Sequence, residues 1–229
     1  MVKFSDVNAQ CNSKEAIEKF RDIKPKEIVS DQEIDNFWDS EFNFNTDESE
    51  DALLDRLFSE VFCRSEDEIT IDFDIDNEIC SLLDEIQSSE WSDADDSFRI
   101  SKISELLETV GERLGLSKVP TISLYYEENE EYGNYDYMTN EINLNTKYMA
   151  DPRMVVNTLM HELRHAYQHE RADILETKED LLYRVNFDNY ISPIPLANGN
   201  WLLYTDYQDQ YVEVEARVFA DMFTEAMNS

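Results

Sequence analysis

The residues with the clearest chemical potential are His161, Glu162 and His165, within Leu159-Met160-His161-Glu162-Leu163-Arg164-His165-Ala166-Tyr167-Gln168. The pattern is H-E-x-x-H. On a helix, positions i and i+4 lie about 40° apart around the axis, so both imidazoles reach one tetrahedral ion from the same side. Zinc accepts such nitrogen donors and, with only three protein ligands, keeps a position open for water. The glutamate at i+1 points to the neighbouring flank. There it can take a proton from a water activated by the ion without itself being a ligand. The chain of 229 residues has 3 histidines, and all of them fall between His161 and His169. That clustering, in a chain otherwise without histidine, argues for a shared role.

A hydrolytic zinc site needs a third protein ligand. His169 stands at i+8 from His161, about 80° around the helix, a poor position for a third ring on one straight helix. It reads better as a helix-end residue, where a cationic ring suits the dipole, with metal ligation as the alternative. Downstream, Tyr211-Val212-Glu213-Val214-Glu215-Ala216-Arg217-Val218-Phe219-Ala220-Asp221 is predicted helical, with Val214, Val218, Phe219 and Phe223 for packing. Glu213 lies one turn before Ala216, whose small side chain lets two helices approach closely. Glu215 competes with it as a ligand, or supports one.

Several elements must position these groups. Asp151-Pro152 is a helix start, a side-chain cap followed by proline at the first helical position. The motif helix is predicted to run from there to about Glu170, with Met154, Val155, Thr158, Leu159 and Ala166 on its buried flank. Before it, Thr121–Tyr126, Gly133–Met138 and Glu141–Asn145 read as strands of a small antiparallel sheet. Ile100, Ile103, Leu106, Leu107, Val110 and Leu114 mark a helix that ends near Gly115. Between the two motif helices, residues 189–205 carry no charge in a chain that is 31% charged. They read equally as a loop packed under the sheet or as the wall of a substrate cleft. Tyr204, Tyr207 and Tyr211 are candidate hydroxyl donors to an oxyanion.

The motifs His161-Glu162-Leu163-Arg164-His165-Ala166-Tyr167-Gln168 and Glu213-x-Glu215-Ala216-Arg217-x-Phe219-Ala220, in this order, resemble those of the gluzincin metallopeptidases. The likeness is to minimal, single-domain members with an ImmA/IrrE-like layout, and it covers residues 100–225. It implies zinc held by His161, His165 and Glu213, with Glu162 as the general base and Glu215 as a supporting or alternative ligand. The metzincin spacing is absent, because Gln168 and Arg171 stand where its glycine and third histidine belong.

The net charge is -33. It excludes general attraction to nucleic acid or to anionic lipid, both of which need Lys and Arg. From Asp31 to Asp96 there are 24 Asp and Glu against two basic residues, Arg56 and Arg64. Within this acidic part, helical spacing appears at 13–20, around Ile34, Phe37 and Trp38, and at 48–63. Ile69, Ile71, Phe73 and Ile75 alternate with polar residues as in a strand. Ile79, Leu82, Leu83 and Ile86 return to helical spacing. The Asp72-Asp74-Asp76 alternation lacks the glycine that a calcium loop needs, since Ile79 stands in its place. Residues 88–97 look like a linker. The odd set Cys11, Cys63 and Cys80 forms no metal or redox pair and fits a reduced, cytoplasmic setting. No apolar run suits a signal peptide or a membrane span.

The expected fold class is α+β: a helix-rich, zincin-like domain over 98–229, with a small antiparallel sheet and the H-E-x-x-H helix. An acidic, mainly helical region over 1–97 precedes it. The expected function is a zinc-dependent peptidase acting on a protein or peptide. The alternative is an acidic binding or inhibitor protein that imitates nucleic acid or sequesters a basic partner, with a structural or vestigial zinc site.

Overall fold

The computed structural model describes residues 65–88, 90–128, 131–195 and 201–228. The helices expected at 13–20, near 34–38 and over 48–63 lie outside these residues, as do Cys11 and Cys63. In chain order the described elements are α1 (Asn77–Ile86), α2 (Asp96–Arg113), β1 (Thr121–Tyr125), β2 (Gly133–Asp136), β3 (Glu141–Asn145), α3 (Pro152–Ile174), α4 (Lys178–Asp188), β4 (Ile194–Pro195), β5 (Trp201–Leu202), α5 (Tyr204–Gln208) and α6 (Tyr211–Ala226). The protein is thus helix-rich with a small sheet, an α+β arrangement. No described helix is long and apolar enough to cross a membrane.

The chain divides into two compact units. One comprises Ser65–Glu170 with Val212–Ser229, so residues 65–97 fall in the same unit as the motif helix. The other, among the described residues, is Arg171–Tyr211. In this second unit α4 begins at a capping box between Thr177 and Asp180. Within the uncharged segment, Ile194–Pro195 and Trp201–Leu202 form the antiparallel pair β4–β5, with Ile194 and Leu202 exposed.

In the first unit, carboxylates cap the helix starts. Asp76 accepts from the backbone N–H groups of Glu78 and Ile79 at 2.9 and 3.0 Å, Asp95 from Phe98 at 2.8 Å, and Asp151 from Arg153 and Met154 at 3.0 and 3.2 Å. Each satisfies N–H groups that a helix start otherwise leaves without partners. Helix α2 stops at Gly115, whose φ of 75° favours a residue without Cβ. One apolar core joins Ile79, Leu83 and Ile86 of α1, Ile103, Leu106 and Val110 of α2, Ile142 and Leu144 of β3, Val156, Leu159, Met160 and Leu163 of α3, and Phe219, Ala220 and Phe223 of α6.

Three expectations change. Residues 69–76 keep their alternating burial but pair with no strand among the described residues. Ile71, Phe73 and Ile75 instead pack on the core, with the Phe73 ring 5.3 Å from Phe219 and 5.8 Å from Phe223. Alternation reports which side is buried and says nothing about a ladder. The segment read as a linker holds Trp91, which is 1% exposed and whose indole N–H donates to the Met149 carbonyl at 3.0 Å. The sheet is mixed, not antiparallel. Its order is β1-β3-β2, with β3 parallel to β1 and antiparallel to β2. The turn at 137–140, with Asn140 at φ 56°, folds β3 back on β2. β3 then lies between its two predecessors and runs with β1.

Helices α3 and α6 run side by side in opposite directions. Arg153 bonds to Asn228, Asn157 to Asp221, Arg164 to Glu215 and Gln168 to the Val212 carbonyl, so residue numbers rise along one helix as they fall along the other. β2 meets α3 through a glycine. A Cβ on Gly133 would stand 2.7 Å from the Asn143 carbonyl oxygen and 2.8 Å from Thr158 Cγ2. That missing side chain lets β2 lie against α3 one turn before Glu162. Gly133→Ala is therefore expected to cost about 1–3 kcal/mol by overpacking. The thermal midpoint should fall by about 2–4 °C per kcal/mol. An unchanged midpoint in calorimetry would show that β2 is free to shift.

Candidate metal centre

The site grows out of the α3–α6 seam. Glu213 and Glu215 are two residues apart, roughly 160° around a helix. Between them, Val212 and Ala216 are fully buried and line the contact. Small side chains there allow close approach, and the two glutamates fall on opposite flanks of the seam. On the facing helix, His161 and His165 share one flank with Glu213, and Arg164 shares the other with Glu215.

On the first flank three donor atoms converge. His165 Nε2 lies 3.1 Å from His161 Nε2 and 3.5 Å from Glu213 Oε1, and His161 Nε2 lies 3.4 Å from Glu213 Oε2. Atoms bound to one tetrahedral zinc at about 2.0–2.1 Å stand about 3.3–3.4 Å from one another. Two imidazoles and a carboxylate at these separations fit a zinc ion in size and donor chemistry. Among the described residues, this is the group of three or more such side chains that could hold a metal ion.

The electrostatics follow from burial. Glu213 is 1% exposed. Burial pushes its carboxyl up, but the charge of His165 and hydrogen bonds from both rings outweigh this and hold it well below the usual range. Burial pushes His165 down, yet Glu213 and then Glu162 overcome it, and the ring rises to about 9. Glu162 is 8% exposed and its pKa is raised. Burial is the main cause, opposed by the two histidines, reinforced by Glu213 and moderated by the backbone N–H of Tyr135 on β2.

On the second flank the Glu215 carboxylate and the Gln168 amide are tied on every side. Glu215 is 1% exposed; one oxygen pairs with Arg164 and the other accepts from Gln168 Nε2 at 2.6 Å. Gln168 Nε2 also donates to the Val212 carbonyl at 3.0 Å, and its Oε1 lies 2.8 Å from His165 Nδ1. Arg164 stacks over Tyr167, 4.3 Å from its ring centre. Glu215 therefore stands behind the three donors and not among them.

His169 also lies elsewhere. Its ring stacks on Tyr137 at 5.0 Å and 9°, with Tyr135 at 5.9 Å. Burial first, then the charge of His165, lowers its pKa to about 4. The ring is neutral at ordinary pH and sits within α3, which continues to Ile174, so it is not the cationic helix-end residue expected. Tyr204, Tyr207 and Tyr211 belong to the 171–211 unit. There the Tyr211 hydroxyl donates to Glu179 at 2.9 Å, and the Tyr207 ring lies near Tyr190 and Tyr204.

Sequence reasoning passed over Arg164, Gln168, Tyr125 and the amide of Tyr135. For the first two a signal existed. Val156, Met160, Arg164 and Gln168 form an i+4 stripe, and polar residues on a buried stripe require partners. The Tyr125 hydroxyl is buried with no hydrogen-bond partner among the described residues. Burial, then Glu131, Glu127 and Glu162, raise it to about 12. No local pattern marks it.

Comparison with protein-family models, with curated proteins and with solved structures gives no match. The site is therefore read from its own geometry.

The two glutamates separate in a direct test. Glu213→Ala should abolish stoichiometric zinc uptake by the full chain, measured by elemental mass spectrometry. Glu215→Ala should still take up one zinc but melt earlier. It leaves Arg164 buried without its carboxylate, a loss of about 3–5 kcal/mol. Zinc retained by the first variant and lost from the second would reverse the assignment.

Proposed function

We propose that the chain is a zinc-dependent peptidase, with His161, His165 and Glu213 holding the ion and Glu162 as general base. The observation that carries this reading is the convergence of two imidazole nitrogens and one carboxylate at zinc-like spacing, beside a buried fourth group. That group, Glu162, does not belong to the donor set. When bound, zinc supplies Lewis acidity: it makes water a nucleophile near neutral pH and polarises a carbonyl. The protein's own part is positional and protonic. Glu162 is held by the Tyr135 N–H, with its pKa moved upward by burial, toward the range in which a carboxyl both accepts and returns a proton at working pH. It takes the proton of the attacking water and passes it to the leaving amine. In kind the site is that of a gluzincin, and the substrate is a protein or peptide in the cytoplasm.

The decisive variant is Glu162→Gln. It should bind zinc as the wild type does and lose hydrolysis by about 10²–10⁴-fold. The assay is a defined peptide library read by mass spectrometry. A Glu162→Gln protein that cleaves at the wild-type rate would remove Glu162 from the mechanism.

The charge of -33 favours a second reading, in which the acidic surface captures a basic partner and the zinc site is structural. Such a partner should be retained by immobilised protein at low salt and released at about 0.5 M salt, where charges are screened beyond ~4 Å. Retention at high salt would argue against a charge-driven partner.

A further inference from the structure

We infer that Gln168, itself held by Glu215 and the Val212 carbonyl, sets the tautomer of His165 and so aims its Nε2 lone pair at the ion. The inference rests on the metal reading of the same site and names the residues that make it work. Gln168 and Glu215 are positioning residues, since neither reaches the ion.

The argument is one of hydrogen-bond direction. The two ends of a glutamine amide have nearly the same shape and differ in that nitrogen only donates and oxygen only accepts. Gln168 is fully buried, so water does not substitute for a missing partner. One end of its amide meets two acceptors, a Glu215 carboxylate oxygen at 2.6 Å and the Val212 carbonyl at 3.0 Å. That end must be the nitrogen. A flipped amide would set oxygen against two oxygens.

The other end, Oε1, then faces His165 Nδ1 at 2.8 Å. Being an acceptor only, it requires a hydrogen on Nδ1. A neutral imidazole carries a single N–H, so with the proton on Nδ1 the lone pair is on Nε2. Nε2 is the atom that lies 3.1 Å from His161 Nε2 and 3.5 Å from Glu213 Oε1. The opposite tautomer would set two lone pairs against each other at Gln168 and put a hydrogen where the ion belongs.

The hold extends one step further. Arg164 occupies the other oxygen of Glu215, and its guanidinium lies over Tyr167 and Phe219. Arg164, Glu215, Gln168 and His165 therefore form one buried chain, with Arg164 fixing Glu215, Glu215 fixing the amide, and the amide fixing the ring. In Glu215→Gln the amide of Gln168 gains freedom to flip, which would present nitrogen to His165 and favour the wrong tautomer.

The test uses the full-length protein with labelled histidines, of which there are only 3 to assign. Long-range proton–nitrogen NMR should show a protected Nδ1–H on His165 in the metal-free protein. With zinc bound, this should be the ring's one remaining N–H. Gln168→Leu should lose that protection and weaken zinc binding by about 10–100-fold in chelator competition, the usual effect of removing a partner that orients a ligand. Wild-type protein without a protected Nδ1–H, or Gln168→Leu with unchanged zinc affinity, would overturn the inference. If the wild type takes up no zinc, the metal reading falls, whereas loss or survival of the Nδ1–H protection in metal-free Gln168→Leu still decides whether Gln168 holds the ring.

Discussion

Two buried carboxylates, Glu213 and Glu215, lie on either side of one helix contact. A carboxylate taken out of water without compensation costs several kcal/mol, so each must find positive charge or hydrogen-bond donors in the facing helix. Helix α3 supplies both, histidines on one flank and arginine with glutamine on the other. The register of α3 against α6 is thereby confined. Sliding by one turn would leave both carboxylates and Arg164 without partners while the apolar contacts of Val212, Ala216 and Phe219 changed little. Apolar packing drives the helices together, and the buried charges determine where they stop.

The two flanks differ in how completely their groups are satisfied. Behind the seam, each donor of Gln168 meets an acceptor and both Glu215 oxygens are used. In front, one carboxylate faces two rings whose nearest nitrogens stand 3.1 Å apart, a separation at which both cannot point hydrogens at each other. The low-dielectric surroundings strengthen the attraction between the Glu213 carboxylate and the two rings that face it.

The sheet contributes a backbone rather than side chains. Gly133 lets β2 approach α3, and the amide of Tyr135 then reaches the Glu162 carboxylate. A buried carboxyl has a strong tendency to neutralise. One backbone donor and two neighbouring histidines temper that tendency. On the same strand and in the turn after it, Tyr135 and Tyr137 pack against His169 and occupy that ring away from His161, His165 and Glu213.

Local chemistry was legible without any coordinates. The i, i+4 histidines, the glutamate between them, the Asp151-Pro152 start of α3 and the apolar stripes of α2 and α6 all depend on residues within a few turns of one another. The α+β composition followed from the same periodicities. What local pattern does not carry is a partner. Ile71, Phe73 and Ile75 alternate in burial with no strand beside them, because alternation records a buried side and a ladder requires a neighbour. Strand direction in β1-β3-β2, the burial of Trp91 in a polar segment, and the roles of Glu213 and Glu215 were likewise beyond it. The last is the sharpest case, since the two glutamates are chemically alike and two residues apart. Only the placement of α6 against α3 sends one to the histidines and the other to Arg164 and Gln168. The sequence by itself determined which groups could do chemistry; the packing of two distant helices decided which of them meet, because burial makes each charge answer to what lies across the seam.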